Sequence, residues 1–262
     1  MAVDARLRSS GGCRRAAGVR REIAKSSYRA DTIGSIEVGR NLEVERIYRH
    51  FCMAARALEV VGERWSLLII RDLLPGPRRF TDLVRSLNPI TPARLTDRLR
   101  RLEAAGVLER EPAARGNEVW YRLTDAGRDL GPAIDELTFW GIEHAREPPR
   151  ADEPVHGEAA MIGSKVWLNR YSAAPPDGLI WVWRFRGADS YSLRGNDGAW
   201  ELTRGEREGA AVTVDARTEH WAVFLTSPRK KRRLPTEDVR LEGSKAQVTR
   251  FVKAFGAKPA AR

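Results

Sequence analysis

The sequence predicts an α+β protein made of two domains. Over residues 42–146, apolar side chains recur at helical spacing and two short strand-like runs follow them, which is typical of a winged helix-turn-helix domain. Residues 147–154 contain three prolines and predict a semi-rigid linker. Over residues 155–257 the pattern changes to two-residue alternation, which predicts a mainly antiparallel sheet with helices packed on it.

The composition favours a polyanionic partner. The 262 residues include 46 Lys and Arg against 35 Asp and Glu, a net charge of +11, so double-stranded DNA is the first candidate. No apolar run approaches the ~20 residues that a membrane-spanning helix needs. The two cysteines, Cys13 and Cys52, cannot form a disulfide framework. We therefore expect a soluble, cytoplasmic protein without a membrane segment.

The two ends of the chain are expected to lie outside the domains. Residues 1–41 place two arginine pairs among Ser, Gly and Ala, and they lack the apolar core of a secretory signal. They predict a disordered basic arm, which either contacts phosphates or reflects a start codon assigned too far upstream. Residues 258–262 are expected to form a short tail.

Two helices are expected to build the core of the first domain. Residues 52–61 predict a helix that ends at a glycine, and residues 65–74 predict a strongly apolar helix closed by a Pro-Gly-Pro sequence. The residues expected on the apolar face of the first helix are Ala54, Ala57, Leu58 and Val61.

The stretch from Thr91 to Ala105 predicts a helix with one apolar stripe and cationic flanks. Thr91 can cap the helix, and a proline at the first helical position loses no hydrogen bond. Leu95, Leu99 and Leu102 follow the spacing of one buried face. The charged flanks consist of Arg94, Arg98, Arg100 and Arg101, with Asp97 and Glu103 against them. A charged helix flank is most often only solvated surface. The elements before and after this helix must therefore show whether the flank binds DNA.

The neighbours of this helix indicate a DNA-binding motif. Residues 80–87 predict a short helix across a tight turn, and residues 107–111 and 118–123 predict two strands joined by a loop that contains Arg115. Helix, turn, helix and hairpin together form a winged helix-turn-helix. We expect Thr91, Ala93, Arg94 and Asp97 to reach base edges, and Arg98, Arg100 and Arg101 to add contacts to DNA, chiefly to phosphates.

Several motifs in order resemble one family. The run ARALEVVGERWSLLIIRDLLPGPRRFTDL, then ITPARLTDRLRRLEAAGVLER, a hairpin and YRLTDAGRDL are similar to the HxlR family of bacterial winged-helix transcriptional regulators over about residues 51–144. The resemblance implies a homodimer, with the helix from Pro92 in the major groove and the wing loop around Arg115 near a flanking minor groove. Met53 and Ala93 stand where family members often have a proline and a basic residue, so we expect a different operator sequence.

The residues after the wing also favour a dimer. Thr124 is expected to cap a helix running to about Ala145. An isolated domain of this size has too little surface to bury the side chain of Trp140 in this helix. Pairing with a second copy across a two-fold axis covers this ring and presents two recognition helices ~34 Å apart. The expected operator is an inverted repeat.

The second domain shows strand alternation and helix caps. Leu179, Trp181, Trp183 and Phe185 face one way in a strand, and Gly195-Asn196-Asp197-Gly198 predicts a hairpin turn. Residues 211–215 predict another strand. Helices are expected after Thr218 and after Ser244, where Gln247 completes a capping box.

The order of these elements resembles a sterol-carrier-protein domain. The resemblance rests on the hairpin, the AAVTVDA run and the VRLEG strand before the last helix. It implies an apolar cavity and a lipid or other apolar ligand, for which Trp181, Trp183 and Trp221 are the candidate binding residues. Aromatic residues at these spacings more often fill a core than bind a ligand.

Three further features have competing interpretations. Cys52 occupies the place of a redox sensor used by some relatives of the family, although a single thiol on an apolar helix is more often a small buried residue. The basic run Arg229–Arg233 is by default a solvated loop, and otherwise an extra phosphate contact. The four histidines have no metal-binding spacing and no catalytic motif occurs, so we expect neither an enzyme nor a cofactor.

Two alternatives to an effector-controlled regulator remain open from the sequence. The first is a lipid-binding carrier whose winged helix serves only for dimerisation. The second is a regulator switched by oxidation of Cys52.

Overall fold

The structure, a computed structural model, describes Tyr48 and residues 51–112, 118–145, 147–150 and 152–259. The predicted arm at residues 1–41 and the wing residue Arg115 lie outside these ranges. Within them the protein has a mixed α and β architecture, with a winged-helix domain followed by an α+β domain. None of the helices in this part of the chain is long and apolar enough to cross a membrane.

The winged-helix domain contains six helices and a three-stranded sheet of order β1-β3-β2. Its elements are α1 (Met53–Val61), α2 (Ser66–Leu73), β1 (Arg78–Arg79), α3 (Phe80–Ser86), α4 (Pro92–Ala104), β2 (Leu108–Pro112), β3 (Val119–Leu123), α5 (Asp125–Arg128) and α6 (Gly131–His144). The predicted helix-turn-helix and the antiparallel hairpin are thus confirmed, and β1 is a strand that the sequence pattern did not reveal.

Two details of this domain differ from the predictions. Thr124 caps only the short α5, and a separate helix begins at Gly131 because Pro132 has no N–H for a helix interior but suits a first turn. In α1 the residues that pack inward are Ala55 and Val61, whereas Leu58 on the predicted face remains 46% exposed.

The C-terminal domain is a five-stranded sheet with three helices. Its elements are α7 (Gly157–Tyr171), β4 (Ile180–Phe185), β5 (Ser190–Asn196), β6 (Ala199–Arg204), β7 (Val212–Ala216), α8 (Thr218–Thr226), β8 (Arg233–Leu234), β9 (Val239–Gly243), α9 (Lys245–Ala254) and β10 (Lys258–Pro259). The order β6-β5-β4-β7-β9 is antiparallel except between β4 and β7, and the short β8 and β10 pair separately.

Local residue chemistry explains the ends of several of these elements. The predicted hairpin turn is confirmed: Asn196 pairs with Ala199, and Asp197 and Gly198 both have left-handed backbone, as a tight two-residue turn requires. The Ser244 hydroxyl caps α9 by accepting from the N–H of Gln247. Thr218, in contrast, is not a cap, because Arg217 precedes the first turn of α8 and Thr218 lies inside it.

The basic run Arg229–Arg233 is not simply a solvated loop. The guanidinium of Arg232 is 1% exposed and donates to the carbonyls of Leu225, Ser227 and Phe255. It also lies 4.0 Å from the centre of the Trp167 ring. Arg232 therefore fastens the end of α9 to α7 and α8, whereas Lys230, Lys231 and Arg233 are exposed.

We predict that Arg232→Met destabilises the protein by about 3 kcal/mol, because it leaves buried carbonyl groups without donors. The measurement is the urea midpoint of unfolding followed by tryptophan fluorescence. Lys231→Met, one residue away on the exposed side of the same turn, is the matched control and should leave the midpoint in place. Equal shifts in the two variants would contradict the structural role given to Arg232.

Candidate nucleic-acid interface

Helix α4 is positioned by a side-chain cap and by the turn before it. Thr91 has extended backbone, and its hydroxyl oxygen accepts from the N–H of Arg94 at 3.4 Å. Pro92 takes the first helical position. The preceding turn is anchored by Ile90, which is buried in the domain core. The start of α4 is therefore fixed on the rest of the domain while its cap stays at the surface.

The two faces of α4 have opposite environments. Leu95, Leu99 and Leu102 are 0–2% exposed and pack into the core of the winged-helix domain. Six of the seven predicted contact residues on α4 and its cap are exposed, namely Thr91, Ala93, Arg94, Asp97, Arg100 and Arg101. These exposures hold with residues 152–259 present, so the described C-terminal domain does not cover this face.

Arg98 has a different environment from the other arginines of α4. Its guanidinium lies 3.1 Å from Asp97 and 3.4 Å from Glu63, in the segment between α1 and α2. Its side chain is 13% exposed. Arg98 thus braces α4 against the neighbouring segment, a contact that the sequence pattern did not reveal, and its predicted contact with a phosphate remains a prediction.

The remaining arginines of α4 differ in how much of their charge is compensated. Arg101 lies 3.2 Å from Asp97, one helical turn before it. Within the part of the chain that the structure describes, Arg94 and Arg100 have no carboxylate within the 4.0 Å of an ion pair. The positive charges of these two side chains are therefore available to bind a polyanion.

The wing carries arginines that are largely paired. Arg79 on β1 lies 2.9 Å from Glu118, and its guanidinium stacks 4.7 Å from the centre of the Trp120 ring. Arg122 on β3 lies between Glu109 and Glu111 at 2.9 and 2.8 Å. The tip of the wing with Arg115 is outside the described residues, so the part that is described adds little uncompensated charge.

The side chains between the wing and α4 are also linked. Arg110 on β2 donates to Glu103 on α4 at 2.8 Å, and this hydrogen bond raises the pKa of Arg110. Burial raises the pKa of Tyr121, while the charges of Arg110 and Arg100 act to lower it. The hairpin and α4 therefore form one surface around these groups.

An ion cluster joins the winged-helix domain to the C-terminal domain. Arg78 on β1 pairs with Glu158 on α7, and both side chains are at most 5% exposed. Arg204 on β6 lies 3.6 Å from Glu158 and 3.6 Å from Asp189. The hydroxyl of Tyr191 donates to Glu158, and burial raises the pKa of Tyr191 to about 12. The phenol therefore stays neutral and acts as a donor.

Backbone contacts reinforce the ion cluster. The backbone N–H of Arg204 donates to the carbonyl of Pro75 at 3.1 Å, and its guanidinium donates to the carbonyl of Pro77 at 2.7 Å. Burial, together with the charge of Arg204, lowers the pKa of Arg78. The buried Arg78 and the partly buried Arg204 thus depend on Glu158 and Asp189 for compensation. Through these contacts, residues 75–78, which lead into α3, are held to the C-terminal sheet.

The predicted ligand-binding residues lie in the core of the C-terminal domain. Trp181, Trp183 and Trp221 are at most 1% exposed. The ring of Trp183 lies 5.6 Å from that of Trp221, and the ring of Trp181 lies 4.8 Å from that of Phe251. The indole N–H of Trp221 donates to Ser164 at 2.9 Å. The structure brings these rings together as packed aromatic core, and a ligand role for them remains a prediction.

The other chemically reactive residues are separate from one another. Cys52 is half-buried at the residue that precedes α1, and its role as a sensor remains a prediction. Among the described residues, no group of three or more His, Cys, Asp and Glu side chains is arranged to hold a metal ion.

Comparison with known proteins places the winged-helix domain in a family. Residues 60–148 match the family described as HxlR-like helix-turn-helix. An uncharacterized HTH-type transcriptional regulator of Mycobacterium tuberculosis is 49% identical over 94 residues, which are 36% of this chain and 59% of that protein. This chain therefore spans less than two thirds of the length of its mycobacterial relative.

Other relatives are covered more fully. The uncharacterized HTH-type transcriptional regulator YtcD of Bacillus subtilis is 39% identical over 113 residues, which are 43% of this chain and 84% of YtcD. Among solved structures, the redox regulator HypR in its reduced form is 32% identical, with a TM-score of 0.35, over 36% of this chain and 94% of that chain.

We predict that Glu158→Gln destabilises the protein by about 3 kcal/mol, because it leaves the buried Arg78 without its main counter-charge. Adding Arg78→Met to Glu158→Gln should recover part of this loss, which a double-mutant cycle of urea midpoints measures. Glu206→Gln removes an exposed partner of Arg184 and serves as the control. Additive effects of Arg78→Met and Glu158→Gln would show that the cluster does not act as a unit.

Proposed function

Because the chain belongs to the HxlR-like helix-turn-helix family through its winged-helix domain, we propose that it is a DNA-binding transcriptional regulator of the HxlR type. The observation that supports this most directly is the division of α4 into a buried leucine stripe and an exposed face with Arg94 and Arg100. In a helix-turn-helix the second helix enters the major groove with its N-terminal residues against base edges. Here α4 is that helix.

The proposal assigns two kinds of contact to α4. Thr91, Ala93, Arg94 and Asp97 are exposed at the start of the helix and reach base edges. Arg100 and Arg101 lie farther along the exposed face and neutralise phosphates, and Arg115 in the wing loop contacts DNA at a flanking minor groove. Arg98 contributes mainly by holding α4 in place, because its charge is already shared with Asp97 and Glu63.

The proposal includes a homodimer that binds an inverted repeat. Helix α6 leaves Leu137 and Trp140 at 56% and 60% exposure, and the region of α1 leaves Phe51 and Met53 at 85% and 63%. Large apolar side chains exposed in this way on a monomer commonly mark an interface. A second copy of the chain would cover them, and a two-fold dimer would present two α4 helices to successive turns of the major groove.

The proposal also includes control by a largely apolar ligand. The C-terminal domain has the element order that resembles a sterol-carrier domain, and it is joined to the wing through the ion cluster of Arg78, Glu158, Asp189, Tyr191 and Arg204. A change in the C-terminal domain therefore has a physical route to the DNA-binding domain.

We predict that the full-length protein selects inverted-repeat sequences from a pool of random duplexes. Arg94→Ala should weaken binding to the selected duplex about tenfold or more and relax its sequence preference. Arg100→Ala should weaken binding to all duplexes and lower the slope of log affinity against log salt by about 0.9, because one phosphate contact is lost. Fluorescence anisotropy at several salt concentrations measures both effects.

Arg250→Ala is the control for these variants, since it removes the same charge from the exposed surface of α9. It should leave both affinity and salt slope in place. Equal losses on every duplex for Arg94→Ala and Arg100→Ala would contradict the two roles. If no duplex is selected at moderate salt, the regulator proposal is wrong and a lipid-binding carrier is favoured.

We predict that Trp140→Glu raises the dissociation constant of the dimer by about thirtyfold or more, because it places a charge in a desolvated contact. Sedimentation equilibrium measures this constant. Val223→Glu, at an apolar residue on α8 that is 48% exposed, is the matched control. A wild-type protein that remains monomeric at concentrations sufficient for DNA binding would contradict the dimer.

A further inference from the structure

The described residues surround a cavity of about 570 Å³ where the winged-helix domain, the linker and the C-terminal domain meet. This volume is within the range of about 300–1,000 Å³ that small-molecule sites occupy. Its apolar walls include Trp65, Leu68, Leu87 and Ile142 from the first domain, and Trp167 and Leu225 from the second. We call it the inter-domain cavity.

Two glycines leave part of this space open. Gly141 in the last turn of α6 and Gly163 in the middle of α7 both line the cavity, and a Cβ atom at either position would meet no atom within 4 Å. Neither has the left-handed backbone that would require glycine. Because glycine weakens a helix interior relative to alanine, its use here has a cost in helix stability. In the structure, these glycines widen the cavity and do not improve packing.

A strained residue also stands at the wall of the inter-domain cavity. Trp65 has a φ of 82°, the left-handed region, which bulky residues rarely adopt. This backbone turns the chain into α2, and the Trp65 ring lines the cavity. Strain of this kind is found preferentially at ligand-binding and switch sites.

The polar groups of the inter-domain cavity are unevenly placed. Arg71 binds Asp72 through Nε and Nη2, both at 2.8 Å, so these contacts leave Nη1 for a ligand. The Nε2 atom of His156 is buried and has no hydrogen-bond partner within the described part of the chain. Burial lowers the pKa of His156, with the charge of Asp72 opposing this and that of Arg71 reinforcing it. Arg71 and His156 both line the cavity.

The two glutamates that line the cavity contact Arg150. Glu147 lies 3.7 Å from the guanidinium of Arg150, and Glu153 accepts from the backbone N–H of Arg150 at 3.0 Å. The side chains of Glu147 and Arg150 are 74% and 71% exposed, so these groups belong to the solvated rim. The interior thus combines apolar walls with one neutral imidazole and the guanidinium of Arg71, two of whose nitrogens already contact Asp72.

We propose that the inter-domain cavity binds an amphipathic organic acid, with its apolar body between Trp65 and Trp167 and its carboxylate on Arg71 and His156. The Nη1 group of Arg71, which the contacts with Asp72 leave open, can donate a charge-assisted hydrogen bond to a carboxylate oxygen. The site is separate from the packed rings of Trp181, Trp183 and Trp221.

The wall of the inter-domain cavity is connected to the recognition helix α4. Leu87 and Asn88 line it, and they belong to the turn that leads into Thr91 and α4. On the opposite wall, α7 carries Gly163 in the cavity and Glu158 in the ion cluster. The ligand therefore acts as an effector of DNA binding, a step that rests on the regulator function proposed above.

The first experiment measures binding without DNA. Titration of the full-length protein with a long-chain polyene carboxylate, whose fluorescence rises in apolar surroundings, should give saturable binding to one site per chain. Gly163→Leu fills the cavity and should weaken binding at least about tenfold while the melting midpoint stays or rises. Ala246→Leu adds an apolar side chain to the exposed surface of α9 and should bind as the wild type does. Absence of saturable binding, or wild-type binding by Gly163→Leu, would overturn the site.

The second experiment tests the carboxylate. Arg71→Gln should weaken the competing affinity of a long-chain carboxylate about tenfold and leave that of the alcohol of equal chain length unchanged. His156→Asn provides a second variant in case Arg71→Gln lowers the melting midpoint. Equal losses for acid and alcohol in the folded variants would overturn the assignment of the headgroup.

The third experiment separates the effector role from the DNA-binding role. Saturating carboxylate should change the affinity of the wild type for its selected duplex about fivefold or more, and Gly163→Leu should abolish the change. Carboxylate binding without any change in DNA affinity would overturn the effector role. Carboxylate binding by a protein that selects no duplex would leave the site intact and contradict the regulator proposal.

Discussion

The burial of one leucine stripe on α4 is the constraint on which the DNA-binding surface depends. A helix has 3.6 residues per turn, so burying Leu95, Leu99 and Leu102 places the opposite side of the helix in water. Exposed Arg94, Arg100 and Arg101 are the result. The stripe packs on α2 and α3 through one continuous core, and any rotation of α4 would expose leucines and bury arginines. The burial of the leucines therefore determines that the arginine side chains of α4 face the solvent.

The charges around α4 are divided between support and recognition. Asp97 holds Arg98 and Arg101, while Glu63 holds Arg98 from another segment. The described arginines of the wing are mostly paired with glutamates of the same hairpin or of α4. Among the described residues of α4 and the wing hairpin, unpaired cationic charge is thereby concentrated on Arg94 and Arg100 of one helix. Such a distribution favours a defined docking geometry over general attraction to any polyanion.

The second domain is coupled to the first through buried polar contacts. Glu158 holds Arg78 and Arg204 from two domains, and the backbone near Pro75 and Pro77 is bound by Arg204. Buried ion pairs contribute little net stability, but breaking one is costly because a charge is left uncompensated. A contact of this kind permits few alternative arrangements of the two domains.

The sequence by itself determined the elements whose causes are local. The cap at Thr91, the seam of α4, the hairpin turn at Asp197 and Gly198, and the change from helical to strand periodicity depend on neighbours within a few residues, so pattern alone predicted them. Only the tertiary structure determined which arginine side chains are paired and which are not. Arg98, Arg78 and Arg232 look like the exposed arginines in sequence, but each of them contacts at least one partner from a distant segment. The inter-domain cavity was equally hidden, because it is formed by the packing of separate elements and depends on where small residues leave space.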